Sequence, residues 1–187
     1  ASGPFPNLEE LERSDITEGY PGRSVRLGLR VVDELCAPIP DVLVDIWHAD
    51  ASGDYSSYTD NGTGKDEAEG TTFLRGMQRA DAEGIVEFTT IYPGWYPGRA
   101  LHYHVSVRTA DDVLRTSQLF LPDGLTAEVL TTGVYAEFGR PDTTNATDVL
   151  GGDVESNGSL LHVEALGDGP APPLLALLNL AVGPSAG

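Results

Sequence analysis

The sequence predicts an all-β protein: a β-sandwich of mostly antiparallel strands, with long loops and at most short helices. Two observations carry that prediction. Apolar and polar residues alternate in several short runs, which is the period of a half-buried strand. Gly, Pro and Asn turn signals separate the runs, and many short strands joined in this way build sandwiches or barrels.

The runs follow one another along the chain. Val25, Leu27, Leu29 and Val31 alternate with Arg26, Gly28 and Arg30, and Val42, Val44 and Ile46 with Leu43, Asp45 and Trp47. Val86 and Phe88 flank Glu87, and Leu101, Tyr103, Val105 and Val107 interleave with His102, His104, Ser106 and Arg108. Further strands are expected over residues 113–121, 160–166 and 174–182. Turns are expected at Ala37-Pro38, Ser52-Gly53, Asn61-Gly62, Glu83-Gly84, Pro93-Gly94 and Asn157-Gly158. One short helix is expected over residues 125–131, with Thr126 and Glu128 in its first turn. Residues 56–72 and 139–157 read as long loops, and loops of such length in a compact domain are often functional. The 187 residues suit one domain spanning 1–187, in which 183–187 resemble the start of a linker.

Composition narrows the function. The net charge of −18, with Lys65 the only lysine beside ten arginines, repels phosphate backbones and argues against nucleic acid as a partner. No apolar run approaches the roughly 20 residues that span a bilayer, so no membrane partner is expected. The chain opens at Ala1-Ser-Gly-Pro rather than Met, as expected after processing or trimming. A lone cysteine, Cys36, excludes an internal disulfide, a cysteine zinc cage and an iron–sulfur cluster. Flanked by Asp33, Glu34 and Asp41, it reads as a small, partly buried, unreactive thiol. Sequons at Asn61, Asn145 and Asn157 read as chance matches rather than glycosylation sites.

Chemistry concentrates in Tyr96-Pro-Gly-Arg99-Ala-Leu-His102-Tyr-His104. On a strand His102 and His104 point the same way, about 7 Å apart along the chain, a spacing one metal ion can bridge. Phenolate oxygens with imidazole nitrogens suit a hard, oxidised ion such as ferric iron. A His-x-His pair alone is weak evidence, because such pairs also arise from composition. Tyr96 behind the Pro93-Gly94-Trp95 turn, and Arg99 between it and the histidines, strengthen it. The arginine's fixed charge suits anionic substrates. Tyr55 follows a Trp47-His-Ala-Asp-Ala-Ser-Gly-Asp54 segment far upstream. His48 reads as a packing or orienting residue, and His162 as an ordinary surface or core histidine. Asp50, Asp54 and Asp60 do not follow the calcium-loop spacing and read as a solvated loop.

The segments Val44-Asp-Ile-Trp-His-Ala-Asp-Ala-Ser-Gly-Asp-Tyr55-Ser and Thr89-Thr-Ile-Tyr-Pro-Gly-Trp-Tyr96-Pro-Gly-Arg99-Ala-Leu-His102-Tyr-His104 resemble the two signature blocks of intradiol ring-cleavage dioxygenases. That family includes catechol 1,2-dioxygenase and protocatechuate 3,4-dioxygenase. The similarity runs from about Gly3-Pro4-Phe5 to Gln118-Leu-Phe, and more loosely to Thr144-Asn-Ala-Thr-Asp148. It implies one non-haem Fe(III) per chain, with Tyr55 and His102 as equatorial ligands and Tyr96 and His104 as axial ones. It also implies that Tyr96 leaves the metal when substrate binds, that Arg99 sits beside the bound aromatic ring, and that Gln118 lines the substrate and oxygen cavity. The activity implied is cleavage of catechol-type rings between the two hydroxyl-bearing carbons with O₂, giving cis,cis-muconic acids.

Departures from the family pattern add two expectations. Only five residues separate Tyr96 from His102, fewer than in the protocatechuate enzymes, so a more open mouth and broad catechol tolerance are expected. The run Arg13-Ser-Asp-Ile-Thr-Glu-Gly and the short Tyr-Pro-Gly-Arg turn resemble the stand-alone, often extracellular branch, so secretion is favoured over a cytoplasmic location. Members of that branch often pair a cysteine at the position of Ala49 with one near Cys36, and that second cysteine is absent here. The sequence leaves oligomeric state open.

Two competing readings remain. A non-catalytic sandwich binding module explains the strands and exposed aromatics such as Trp95, but not two tyrosines and a His-x-His in this order. A two-histidine Fe(II) oxygenase needs a carboxylate ligand, and none lies within the histidine block.

Overall fold

The computed structural model describes residues 11–57 and 70–183. Its strands are β1 (Ser24–Val32), β2 (Leu43–Trp47), β3 (Arg75–Arg79), β4 (Ile85–Ile91), β5 (His102–Arg108), β6 (Val113–Phe120), β7 (His162–Ala165) and β8 (Leu174–Ala181). They form two four-stranded sheets, in the orders β4-β1-β8-β7 and β3-β2-β5-β6. Every pairing is antiparallel except β1 with β8. The all-β sandwich expected from the alternation is the observed architecture.

Period-2 burial builds the core between the sheets. Val25, Leu27, Leu29 and Val31 of β1 and Val86 and Phe88 of β4 point inward, and Val44, Ile46, Tyr103, Val105 and Val107 meet them from the other sheet. An N-terminal strap protects one side of the sandwich. Glu12 bridges to Met77 of β3 and Asp15 to Thr89 of β4, so one segment covers an edge strand of each sheet. Bare edge strands invite pairing with other chains, and the strap removes that opportunity.

Three expectations on secondary structure need correction. Strand β3 was not foreseen, because Arg-Gly-Met-Gln-Arg has neither alternation nor β-branched residues. It is fixed by pairing with β2 and by the strap, with Arg13 Nε and Nη2 both donating to the Arg75 carbonyl. The helix, α1, spans Asp123–Val129, and Asp123 is the acidic residue in its first turn, so Thr126 and Glu128 lie further along. A 3₁₀ helix, Gly133–Phe138, follows it.

Cys36 is exposed rather than partly buried. It occupies a tight turn at φ +62°, where the Asp33 carboxylate accepts the Leu35 and Ala37 N–H groups. Trp95 is partly buried rather than exposed, packs against the main core, and donates from Nε1 to the Phe138 carbonyl at 3.2 Å. Of the sequons, Asn145 is buried and its Nδ2 donates to the Leu121 carbonyl, which leaves no room for a glycan. Asn61, Asp60, most of the 56–72 loop and the 184–187 tail lie outside the described residues.

Candidate metal centre

Inward positions on β5 carry Tyr103, Val105 and Val107, so the alternate positions, His102 and His104, project from the opposite face of the same sheet. Strand register lines up a row across that face. Arg75 pairs with Trp47, Trp47 with His104, and His104 with Gln118, one residue from each of the four strands. One step along β5, His102 pairs with Phe120. This face is covered by loops, and both histidines are buried.

The two tyrosines arrive on loops that interlock. The Asp50 carboxylate accepts the N–H groups of Ser52 and Asp54 and the Ser52 hydroxyl, folding residues 50–54 into a tight turn ahead of Tyr55. Asp54 is thereby buried, not solvated as its composition suggested. Gly94 N–H donates to the Asp50 carbonyl at 2.8 Å, tying this turn to the one that carries Tyr96. Glycine is required on both sides of the crossing. A Cβ on Gly53, at φ +92°, would lie 2.2 Å from the Trp95 carbonyl oxygen, and one on Gly94 would lie 2.4 Å from the Ala51 carbonyl oxygen.

The outcome is a closed ring of four donor atoms. Tyr55 Oη lies 3.1 Å from His104 Nε2, and that nitrogen lies 3.1 Å from His102 Nε2. His102 Nε2 is 3.2 Å from Tyr96 Oη, which lies 3.5 Å from Tyr55 Oη. Donors bound at about 2.1 Å to one ion, at right-angled to tetrahedral spacing, stand roughly 3.0–3.4 Å apart. The ring therefore has the edge lengths of a first coordination shell. No group of three or more His, Cys, Asp or Glu among the described residues could hold a metal, so any ion here depends on the tyrosines.

Electrostatics agree with that chemistry. Burial and the nearby Arg99 push His102 down to about 4, and burial with the charges of His102 and Arg99 pushes His104 well below its ordinary value. Both imidazoles are thus neutral lone-pair donors near neutral pH. His102 Nδ1 donates to the Ala100 carbonyl at 2.7 Å, which fixes Nε2 as the free donor. His104 Nδ1 is buried without a partner, and its ring plane is held instead by stacking on Trp47. Burial, reinforced by Tyr96, drives the Tyr55 hydroxyl well above its ordinary value, while Arg99 and Arg75 pull the other way. Burial also raises Tyr96, against the opposing effects of Tyr55 and Arg99. A multiply charged cation between them is the interaction that would favour both phenolates.

Arg99 and Gln118 flank the ring. Arg99 Nη1 lies 3.5 Å from Tyr96 Oη, and Nη2 donates to Gln118 Oε1. A guanidinium can only donate, so Gln118 must turn its oxygen to Arg99 and its Nε2 away, and that Nε2 is buried without a partner. All six residues singled out from the sequence therefore meet in one place.

Three residues of the site were not foreseen. Trp47 supports His104, buried Arg75 donates from Nε to the Ser56 hydroxyl at 2.7 Å behind Tyr55, and Asp148 binds Arg99. Only the family-like stretch at 144–148 hinted at the last. His48 packs as expected: its Nδ1 donates to the Ala49 carbonyl and its Nε2 accepts from Thr90. His162 is exposed on β7, remote from the ring in the other sheet.

The pattern defining a family described as Dioxygenase matches residues 6–120, most of the chain, including every ring donor and Gln118. The structure superposes on the intradiol ring-cleavage dioxygenase from Tetranychus urticae with a TM-score of 0.87 and 29% identity, covering 98% of this chain and 92% of that one. The chain belongs to the intradiol ring-cleavage dioxygenases. A second structural relative of this dioxygenase is the dioxygenase domain of a carbohydrate-binding fusion from Streptomyces sp. SirexAA-E, with a TM-score of 0.70, 25% identity, and coverage of 98% of this chain and 95% of that one. In sequence this chain is 36% identical over 94 residues to the protocatechuate 3,4-dioxygenase beta chain of Burkholderia cepacia. That match spans 49% of this dioxygenase and 39% of the relative's length.

Proposed function

We propose that the protein is a non-haem Fe(III) enzyme that cleaves catechol-type rings between the two hydroxyl-bearing carbons. Both atoms of O₂ enter the product, a cis,cis-muconic acid. The observation that carries this reading is the ring of Tyr55, Tyr96, His102 and His104 donors spaced 3.1–3.5 Å apart, with Arg99 against Tyr96.

Tyr55, His102, His104 and Tyr96 would hold the iron. Bound ferric iron would supply a Lewis-acidic centre that grips both substrate oxygens and draws electron density from the ring. The chain's own residues then divide the work. Tyr55 is 1% exposed and wedged between Trp47, Ala49 and Tyr96, so it is the permanent oxygen donor. Tyr96 is only partly buried, and is the tyrosine free to swing away and hold a substrate proton at Oη. Arg99 Nη1, 3.5 Å from Tyr96 Oη, would stabilise negative charge spreading into the substrate ring as it becomes ketone-like. Gln118 Nε2 offers a buried N–H to a substrate or oxygen atom. Low local dielectric strengthens each of these interactions.

The wide mouth expected from the short Tyr96–His102 interval supports tolerance of substituted catechols. Resemblance to the stand-alone branch supports an extracellular location, which fractionation of the native source would test. Incubation of iron-loaded protein with catechol under ¹⁸O₂, followed by product mass spectrometry, tests the reaction. A muconic acid carrying two labelled atoms is expected, and unchanged catechol would overturn the reading.

A further inference from the structure

Arg99 does not set its own direction. Its Nε donates to Asp148 Oδ2 at 2.9 Å, and the Asp148 side chain is fully buried. The same Oδ2 accepts the Ala100 N–H at 2.7 Å, while Oδ1 accepts the N–H groups of Leu150 and Gly151 at 2.8 and 3.0 Å. Four donors saturate the carboxylate and hold it rigid. Asp148 lies 49 residues downstream of Arg99, in a segment where its N–H returns to the Thr144 carbonyl. A second carboxylate of that segment, Asp142, accepts the Gly98 N–H at 3.0 Å. The turn between Tyr96 and His102 is thus clamped at Gly98, Arg99 and Ala100 by a loop that supplies no ligand itself.

We infer that Asp148 is a positioning residue: it fixes the Arg99 guanidinium by its Nε edge, so that Nη1 and Nη2 face Tyr96 and Gln118 and are presented to the substrate. The inference rests on the proposed catechol chemistry. A guanidinium pinned by one edge loses its rotational freedom before substrate arrives, so its charge is aligned when negative charge develops. The paired carboxylate also offsets the cost of burying that charge. Without it the arginine side chain keeps its reach and loses its aim.

The test compares Asp148→Asn, Arg99→Ala and the double variant with wild type, each loaded with iron. Asparagine keeps the size of the side chain and an acceptor for the backbone, and removes the charge held against Arg99. Turnover of catechol by Asp148→Asn is expected to fall about tenfold to a hundredfold, with a smaller change in KM. Iron content and the visible absorption of the resting protein should match wild type, because all four ring donors are untouched. Adding Asp148→Asn to Arg99→Ala should cost little more, since both act through one group. Wild-type turnover in Asp148→Asn, full additivity in the double variant, or a loss that only tracks iron content would each overturn the inference. Failure of the catechol reading itself is separate: wild-type protein would then turn over no catechol.

Discussion

The His104 imidazole lies flat against the Trp47 indole, with ring centroids 5.0 Å apart and planes within 4°. The two residues face each other across the β2–β5 pair, so the sheet's register stacks this ring on the indole, on a histidine whose Nδ1 has no hydrogen-bond partner. Trp47→Ala removes both the support and a buried side chain. A loss of about 3–5 kcal/mol in metal-free stability, read by urea denaturation, is expected. Iron affinity should fall about tenfold to a hundredfold, as for other groups that support a metal ligand. Wild-type iron affinity in this variant would detach Trp47 from the site.

Gly53→Ala forces a Cβ against the Trp95 carbonyl at a left-handed backbone position. Backbone cannot yield as a side-chain tip can, so the Tyr55 and Tyr96 loops must separate. Stability should drop by more than about 2 kcal/mol and iron binding should weaken. Gly19→Ala is the control: it also sits at positive φ, with nothing within 4 Å of its added Cβ. It should cost only about 1–2 kcal/mol and leave iron binding intact.

His48, which is not one of the ring donors, gives a pH signature of its own. Burial, aided by the charges of His102 and Arg75, holds it down to about 3 from an ordinary 6.5, against the opposing pull of its hydrogen bond to Ala49. The unfolded chain therefore binds a proton between those values that the folded chain refuses. This contribution to stability is complete above pH 6.5 and is lost as pH falls toward 3. In metal-free protein His48→Gln should lower the slope of stability against pH in that window by about one proton, ~1.4 kcal/mol per pH unit. An unchanged slope would show that His48 titrates normally.

Much of this arrangement was legible in the sequence because strands and ligands share one code. Alternation in β1 and β5 marked the core-facing residues, and in β5 also the opposite face that carries His102 and His104. The residues that escaped notice are those whose role depends on register or on distant loops. Arg75 belongs to a strand with no apolar alternation, and Trp47 looked like one more half-buried strand residue until pairing set it beside His104. Asp148 lies in an irregular loop, and nothing local to its sequence marks its carboxylate as buried. Cys36 was misjudged because small apolar character suggests burial, whereas the tight turn around Asp33 turns it outward.

Specificity is tested by steady-state rates on catechol, methylcatechols, hydroxyquinol and protocatechuate. Comparable turnover on several of them is expected from the short Tyr96–His102 interval. Activity confined to one would contradict the open-mouth reading.

The most direct test of the central claim is the visible spectrum of the protein loaded with ferric iron at one equivalent, alone and after anaerobic addition of catechol. Tyrosinate bound to ferric iron absorbs in the visible, so a wine-red solution is expected, with a band that shifts on catechol and is bleached or displaced in Tyr55→Phe. A colourless protein that takes up no iron, or a Tyr55→Phe spectrum identical to wild type, would contradict the four-donor ferric site.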